Sequence, residues 1–219
     1  MTSPSAPADT RAQLAALLRG IVAGDERERR DLDAVARWVD SGAPLYRTRS
    51  PDVPATHLVS YLVVQDPDSG RLLLLWHRKA GLLLPAGGHV EPGEDPWQTV
   101  CRESREELRL DAVASPQAGP RPLFVTVTST RGPGSHTDVS LWYLLHAPPH
   151  AVTWFDEREF AGCEWLTPDE ALTRPLVILD PHMHRFIRKV WPGTTGRPDV
   201  PTPHVDRPPD CAGRSWLTG

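Results

Sequence analysis

The sequence predicts an α/β domain with a mixed sheet, preceded by a helical extension. Three observations carry this. Apolar runs rich in Val, Leu and aromatic residues, bounded by turn residues, recur between His57 and Leu166. Segments of helical periodicity lie among and after them. A pair of helical stripes comes before them, within residues 10–41. The chain has 219 residues, 39% of them hydrophobic and 24% charged, enough for one domain with a core plus extensions.

Each element has its own signature. Leu14, Leu17, Leu18 and Ile21 repeat at helical spacing, and Gly24-Asp25 breaks the run. Leu32, Val35, Ala36 and Val39 form the second stripe. This pair reads as helices packed on the main domain, with a dimer arm or substrate lid as the alternatives. His57–Gln65 and Arg71–Trp76 flank a turn cluster at Asp66–Gly70, the pattern of a hairpin. Leu82–Leu84 is a short third strand and Asp95–Arg109 is helical. Leu123–Thr128 and Val139–Leu145 are strands joined by a Gly/Pro turn at Arg131–Ser135, and Phe160–Leu166 is the last strand. Thr167 caps a short helix, with Glu170 placed for a capping box. Asp180–Val190 reads as a final helix with Pro181 in its first turn. From Pro192 onward Pro and Gly dominate, which predicts a loosely ordered tail. The expected organisation is a helical extension over 1–45, the main domain over 46–191 and a tail over 192–219. No internal repeat is visible.

Composition excludes several classes of partner. A net charge of -4 argues against a surface built for nucleic acid or anionic membrane. No apolar run reaches the ~18 residues needed to span a bilayer, and Met1–Asp9 lacks the pattern of a secretory signal. The three cysteines, Cys101, Cys163 and Cys211, are far apart, which predicts reduced thiols in a cytoplasmic protein and neither a disulfide frame nor a zinc site.

The chemistry concentrates in residues 87–110. Asp95 suits an N-cap and Pro96 the first helical position. At about 100° per residue, Trp97, Val100, Cys101, Ser104 and Leu108 fall on one face, able to pack on a sheet. Glu103, Glu106 and Glu107 fall on another, at spacing i, i+3, i+4. Carboxylates so close repel by roughly 0.2–0.5 kcal/mol per exposed pair, and nothing in helix formation asks for them. A hard divalent cation such as Mg²⁺ or Mn²⁺ would offset the repulsion. Gly87-Gly88 lets backbone carbonyls approach an ion or phosphate, Pro92-Gly93 makes a tight turn, and Glu94 is spaced to pair with Arg102.

These residues resemble the Nudix box. Gly88, Glu94, Arg102, Glu103, Glu106 and Glu107 match its positions at the right spacing, with Leu110 at its last aliphatic place. Six such matches by chance have odds of about one in ten million per start point. Two positions depart: Ser104 replaces an aliphatic, and Arg109 replaces a glycine, so the turn after the helix must be made differently. The resemblance covers roughly residues 57–190. It implies an α/β/α sandwich with a mixed sheet, hydrolysing a phosphoanhydride bond in a nucleoside diphosphate linked to another group. A nucleoside triphosphate is the preferred substrate, by family frequency alone. By carry-over, Glu106 and Glu107 are metal ligands, Glu103 is a ligand or general base, and the Gly87 carbonyl is a further ligand. Glu103 and Glu106 are thus the catalytic candidates, while Gly88, Glu94 and Arg102 are structural. An inactive nucleotide-binding or regulatory module is the alternative; it should lack one of the three glutamates, and none is missing.

Weaker candidates lie outside the box. Asp156, Glu157 and Glu159 form an acidic cluster, which reads as a solvated loop; the resemblance implies instead that one of its residues, Glu159 first, completes the metal site or acts as base. His77, Arg78 and Lys79 end the second strand; Arg78 and Lys79 could meet phosphate, or simply close a charged hairpin. His136 and Asp138 could reach a base or ribose, or satisfy a turn. His89 is disfavoured as a ligand. Cys101 reads as core, as do Trp76, Trp142 and Trp165, although one tryptophan could stack on a base. The expected partners are a small nucleotide and, through the N-terminal helices, a second copy of the chain.

Overall fold

In the computed structural model, residues 8–48, 53–130 and 135–196 are described. Their elements are α1 (Ala8–Arg19), α2 (Glu26–Asp40), β1 (Thr56–Gln65), β2 (Leu72–His77), β3 (Leu82–Leu84), β4 (Ala86–His89) and α3 (Pro96–Leu108). These are followed by β5 (Phe124–Ser129), β6 (Thr137–His146), β7 (Phe160–Leu166), α4 (Pro168–Thr173) and α5 (Met183–Val190). The sheet has seven strands in the order β3-β2-β1-β6-β5, with β4 paired to β1 and β7 to β2. The chain groups into two compact units. The first takes residues up to Leu62, Gly87–Glu103 and Ala114–Leu144. The second takes Val63–Ala86, Ser104–Val113 and the chain from Leu145 on. β1 and α3 each run from one unit into the other.

In the first unit, Asp25 caps α2 by accepting from the Glu28 amide at 2.8 Å. The stripe residues Leu14, Leu18, Val35 and Val39 are all buried. Arg11 donates to the carbonyls of Val39 (2.7 Å) and Ala43 (2.5 Å), tying α1 to the end of α2. Glu28 is fully buried, and its carboxylate accepts from the Gly24 amide at 2.7 Å and the Val125 amide at 3.3 Å. The helical extension is thereby fastened to β5. β5 and β6 are antiparallel, from Phe124↔Trp142 to Ser129↔Thr137. The Gly/Pro turn expected at Arg131–Ser135 lies, but for Ser135, outside the described residues.

In the second unit, the hairpin turn closes through Asp66 N–H to the Arg71 carbonyl at 2.8 Å and Gly70 N–H to the Asp66 carbonyl at 2.9 Å. β2 pairs antiparallel with β3 and, from Leu72↔Leu166 to His77↔Phe160, with β7. The α4 capping box forms: the Thr167 side chain accepts from the Glu170 amide, and Glu170 accepts from the Thr167 amide at 2.8 Å.

Two elements differ from the sequence expectation. Ala86–His89, read as a Gly-rich loop, is strand β4; its glycines allow close approach to β1 in place of breaking the strand. The final helix starts at Met183, not Asp180, and Pro181 precedes it. Leu179 forms a parallel bridge with Leu83, and the Asp180 amide donates to the Leu83 carbonyl at 3.1 Å, so these residues extend alongside β3 and cannot be helical. The expected tail falls mostly outside the described residues. Its first residues are held, the Thr195 and Gly196 amides donating to Asp169 at 2.9 and 2.8 Å. Among the described residues, no helix is long and apolar enough to cross a membrane.

Candidate active site

Helix α3 carries the box glutamates. Its start is fixed by Asp95, whose carboxylate accepts from the Trp97 and Gln98 amides at 2.8 and 3.0 Å, while Gln98 accepts from the Asp95 amide at 2.9 Å. Thr99, Val100, Ser104 and Leu108 are buried. Cys101, expected in the core, is partly exposed.

In the first unit, Arg102 gathers the loop. It donates through Nε to Glu94 Oε1 at 2.9 Å, through Nη2 to Glu94 Oε2 at 3.1 Å and the His89 carbonyl at 3.0 Å, and through Nη1 to Glu103 Oε1 at 2.7 Å. The hydrogen bond to Glu94, with added help from Glu103, holds the Arg102 guanidinium protonated beyond its already high range. Burial pulls the Glu94 carboxyl upward, but hydrogen bonds from Arg102 and Thr99 outweigh it, and the net shift is downward. Glu103 is pressed against β4: a Cβ added to Gly88 would lie 2.0 Å from Glu103 Oε1. A Cβ at Gly87 (φ 142°) would lie 2.2 Å from the Ser60 carbonyl oxygen. Gly87 is therefore a steric necessity, whereas a side chain at Gly88 would displace the Glu103 carboxylate.

In the second unit, Glu106 is exposed and Glu107 is buried, and the Glu107 carbonyl accepts from the Asp156 amide at 2.9 Å. Arg109 takes the left-handed conformation (φ 51°) that a glycine would adopt, and its amide closes on the Arg105 carbonyl at 3.1 Å. Its guanidinium carbon stands 4.1 Å above the Trp154 ring. The buried Ser104 hydroxyl donates to the Leu110 carbonyl at 2.8 Å, and the Leu110 amide returns a bond to the Ser104 carbonyl at 3.0 Å.

The weaker candidates scatter. Asp156 is engaged by Arg158, whose side-chain hydrogen bonds (2.9, 3.0 and 2.5 Å) hold its carboxyl well below the usual range. Glu159 is exposed at the start of β7. Arg78 is exposed, with its Nε donating to the carbonyls of Glu157 (2.9 Å) and Phe160 (3.1 Å). Lys79 is exposed. Trp142 is fully buried, whereas Trp76 and Trp165 are partly exposed. Cys163, expected as a reduced thiol, is disulfide-bonded; spacing along the chain could not reveal a pairing set by the fold.

His136 and Asp138 do converge, on residues the sequence did not single out together. His57, His89, His136 and Asp138 bring their ligand atoms within 4.8 Å of one another and could hold a metal ion. Among the described residues this is the set with such spacing, and it contains none of the α3 glutamates. His57 begins a strand and gave no signal of its own. Burial first, then Arg47 and His57, push His89 down to about 4.

The NUDIX domain model matches residues 56–190. The chain belongs to the Nudix family. A CTP pyrophosphohydrolase of Escherichia coli is 32% identical over 102 residues, covering 47% of this chain and 67% of the relative. Among solved structures, a Caenorhabditis elegans Ap4A hydrolase complex has a TM-score of 0.48 at 21% identity, covering 61% of this chain and 93% of that one. The E. coli dihydroneopterin triphosphate pyrophosphohydrolase has a TM-score of 0.47 at 16% identity, covering 68% and 99%. The protein is a Nudix hydrolase, of the class that acts on nucleoside diphosphate derivatives. Carboxylate oxygens of the kind α3 carries are the donors a hard divalent cation takes, the class of ion Nudix enzymes generally use.

Proposed function

We propose that this Nudix hydrolase cleaves a nucleoside triphosphate, or a related nucleotide, at a phosphoanhydride bond to release a monophosphate and pyrophosphate. The observation that carries the reading is the fixed placement of Glu103. Gly88 gives its carboxylate room and Arg102 orients it, on the same helix that bears Glu106 and Glu107. The CTP pyrophosphohydrolase relative supports a triphosphate substrate.

In this reading Glu103, Glu106, Glu107 and the Gly87 carbonyl hold Mg²⁺ or Mn²⁺, with Glu159 as an auxiliary ligand. The bound cation would neutralise phosphate charge and lower the pKa of an attacking water. Glu103 or Glu106 takes the proton from that water. Glu94 and Arg102 are positioning residues, holding the loop and Glu103 in place. Lys79 is the phosphate contact this reading retains. Arg78 has its Nε committed to two carbonyls, and His136 and Asp138 face other ligating groups. Retention of all three glutamates favours an enzyme over a binding module.

A panel of nucleoside triphosphates, nucleotide sugars and dinucleotides, incubated with the protein and Mg²⁺ and resolved by ³¹P NMR, tests the reading. Pyrophosphate and a monophosphate should appear from a triphosphate and vanish with chelator. Release of orthophosphate alone, or turnover indifferent to chelation, would overturn it.

A further inference from the structure

The cluster of three imidazoles and one carboxylate is not explained by the hydrolytic site. We propose that His57, His89, His136 and Asp138 form a second metal site, one that takes a transition-metal ion such as Zn²⁺. It uses none of the residues assigned above to the hard cation.

The tautomers carry the argument. His57 Nδ1 lies 3.0 Å from the Pro54 carbonyl oxygen. A carbonyl only accepts, so Nδ1 holds the proton and the neutral ring presents a lone pair at Nε2. That atom lies 3.2 Å from Asp138 Oδ1. His136 Nε2 approaches the same oxygen at 3.3 Å, while its Nδ1 lies 3.1 Å from the Thr130 hydroxyl. His57 is fully buried. His89 Nε2 is buried and has no hydrogen-bond partner among the described residues. The His57 lone pair, the Nε2 atoms of His89 and His136 and the Asp138 carboxylate thus converge. A proton on His57 would answer its contact with Asp138, but would leave the buried His89 Nε2 without a hydrogen-bond partner among the described residues. A single divalent ion answers them together.

The spacing agrees. In a tetrahedral zinc site with bonds of about 2.0–2.1 Å, neighbouring ligand atoms lie roughly 3.3–3.4 Å apart. The two contacts to Asp138, at 3.2 and 3.3 Å, match that edge. His89, within 4.8 Å of the rest, would close by a small ring movement. The Pro54 carbonyl and Thr130 hydroxyl sit where the outer contacts of metal-bound imidazoles belong. Imidazole nitrogen favours zinc, nickel or copper over Mg²⁺, so the two kinds of site would not compete for one ion. His89 directly follows Gly88, and its carbonyl accepts from Arg102. A filled site would therefore fix the strand against which Glu103 rests.

The test uses full-length protein, stripped with chelator and titrated with Co²⁺ and then Zn²⁺ in excess Mg²⁺. One Co²⁺ should bind with the intense visible absorption of a four-coordinate ion, and one Zn²⁺ should displace it. His136→Ala and Asp138→Asn should each weaken Zn²⁺ binding by about a hundredfold or more, since loss of even an outer contact typically costs 10–100-fold. Glu106→Gln should bind as the wild type does. Only the weak absorption of six-coordinate Co²⁺ in the wild type would overturn the proposal, with no variant needed. So would binding that survives in His136→Ala and disappears in Glu106→Gln.

Discussion

At Gly88, one missing carbon decides where a carboxylate can stand. A Cβ there would push the Glu103 carboxylate out of that space, where Arg102 holds it while clamping Glu94 and the His89 carbonyl. Sequence spacing permitted the Glu94–Arg102 pair; it did not show the same guanidinium reaching Glu103. Another single residue sets a pH response. Asp180 is buried, and burial pushes its carboxyl up to about 7, against the stabilising His182 amide at 2.7 Å. Its ordinary value is 3.8. Between these values the folded state binds the proton more tightly than the unfolded chain, so this contribution to stability is complete below about pH 4 and lost as pH rises through about 7. Asp180→Asn keeps an acceptor for the His182 amide and carries no charge. Its melting temperature should fall less between pH 5 and pH 8 than that of the wild type. Equal falls in the two proteins would mean that Asp180 does not drive the response.

At the scale of the element, the end of α3 explains both departures from the box. The left-handed turn survives without glycine. Arg109 adopts it at a cost of roughly 1–2 kcal/mol, partly offset by stacking over Trp154, worth about 0.5–1 kcal/mol at an exposed site. Ser104 contributes the other half, its hydroxyl and carbonyl both bonded to Leu110. An aliphatic residue could make only the backbone bond. Ser104→Ala should therefore lower unfolding free energy by about 1–3 kcal/mol, because the Leu110 carbonyl loses its buried donor. Urea denaturation with an unchanged m-value would report this directly, and an unchanged midpoint would show that the clasp carries no net stability. Sequence spacing places Ser104 on the packing face but does not reveal its hydroxyl's bond to Leu110.

Across the whole molecule, legibility followed distance along the chain. The box was readable because its members lie within about twenty residues and a helix converts spacing into a shared surface. The strands were readable from their apolar runs, and α4 from its capping pair. β4 was not, since glycines argue for a loop until a neighbouring strand needs their bare backbone. The start of α5 was not, since Asp180 is drawn to Leu83 by a bridge no local signal announces. The His57–His89–His136–Asp138 cluster arises only when distant segments meet. Glu103, Glu106 and Glu107 share α3 but not one degree of burial, which makes their joint role the point most worth measuring. That measurement is kcat on the best triphosphate substrate with Mg²⁺ for Glu106→Gln and Glu107→Gln, each checked for an unchanged melting temperature. The account predicts a fall of at least about a hundredfold in both, since each removes charge from the cation's ligand set. Wild-type turnover in either folded variant would contradict it.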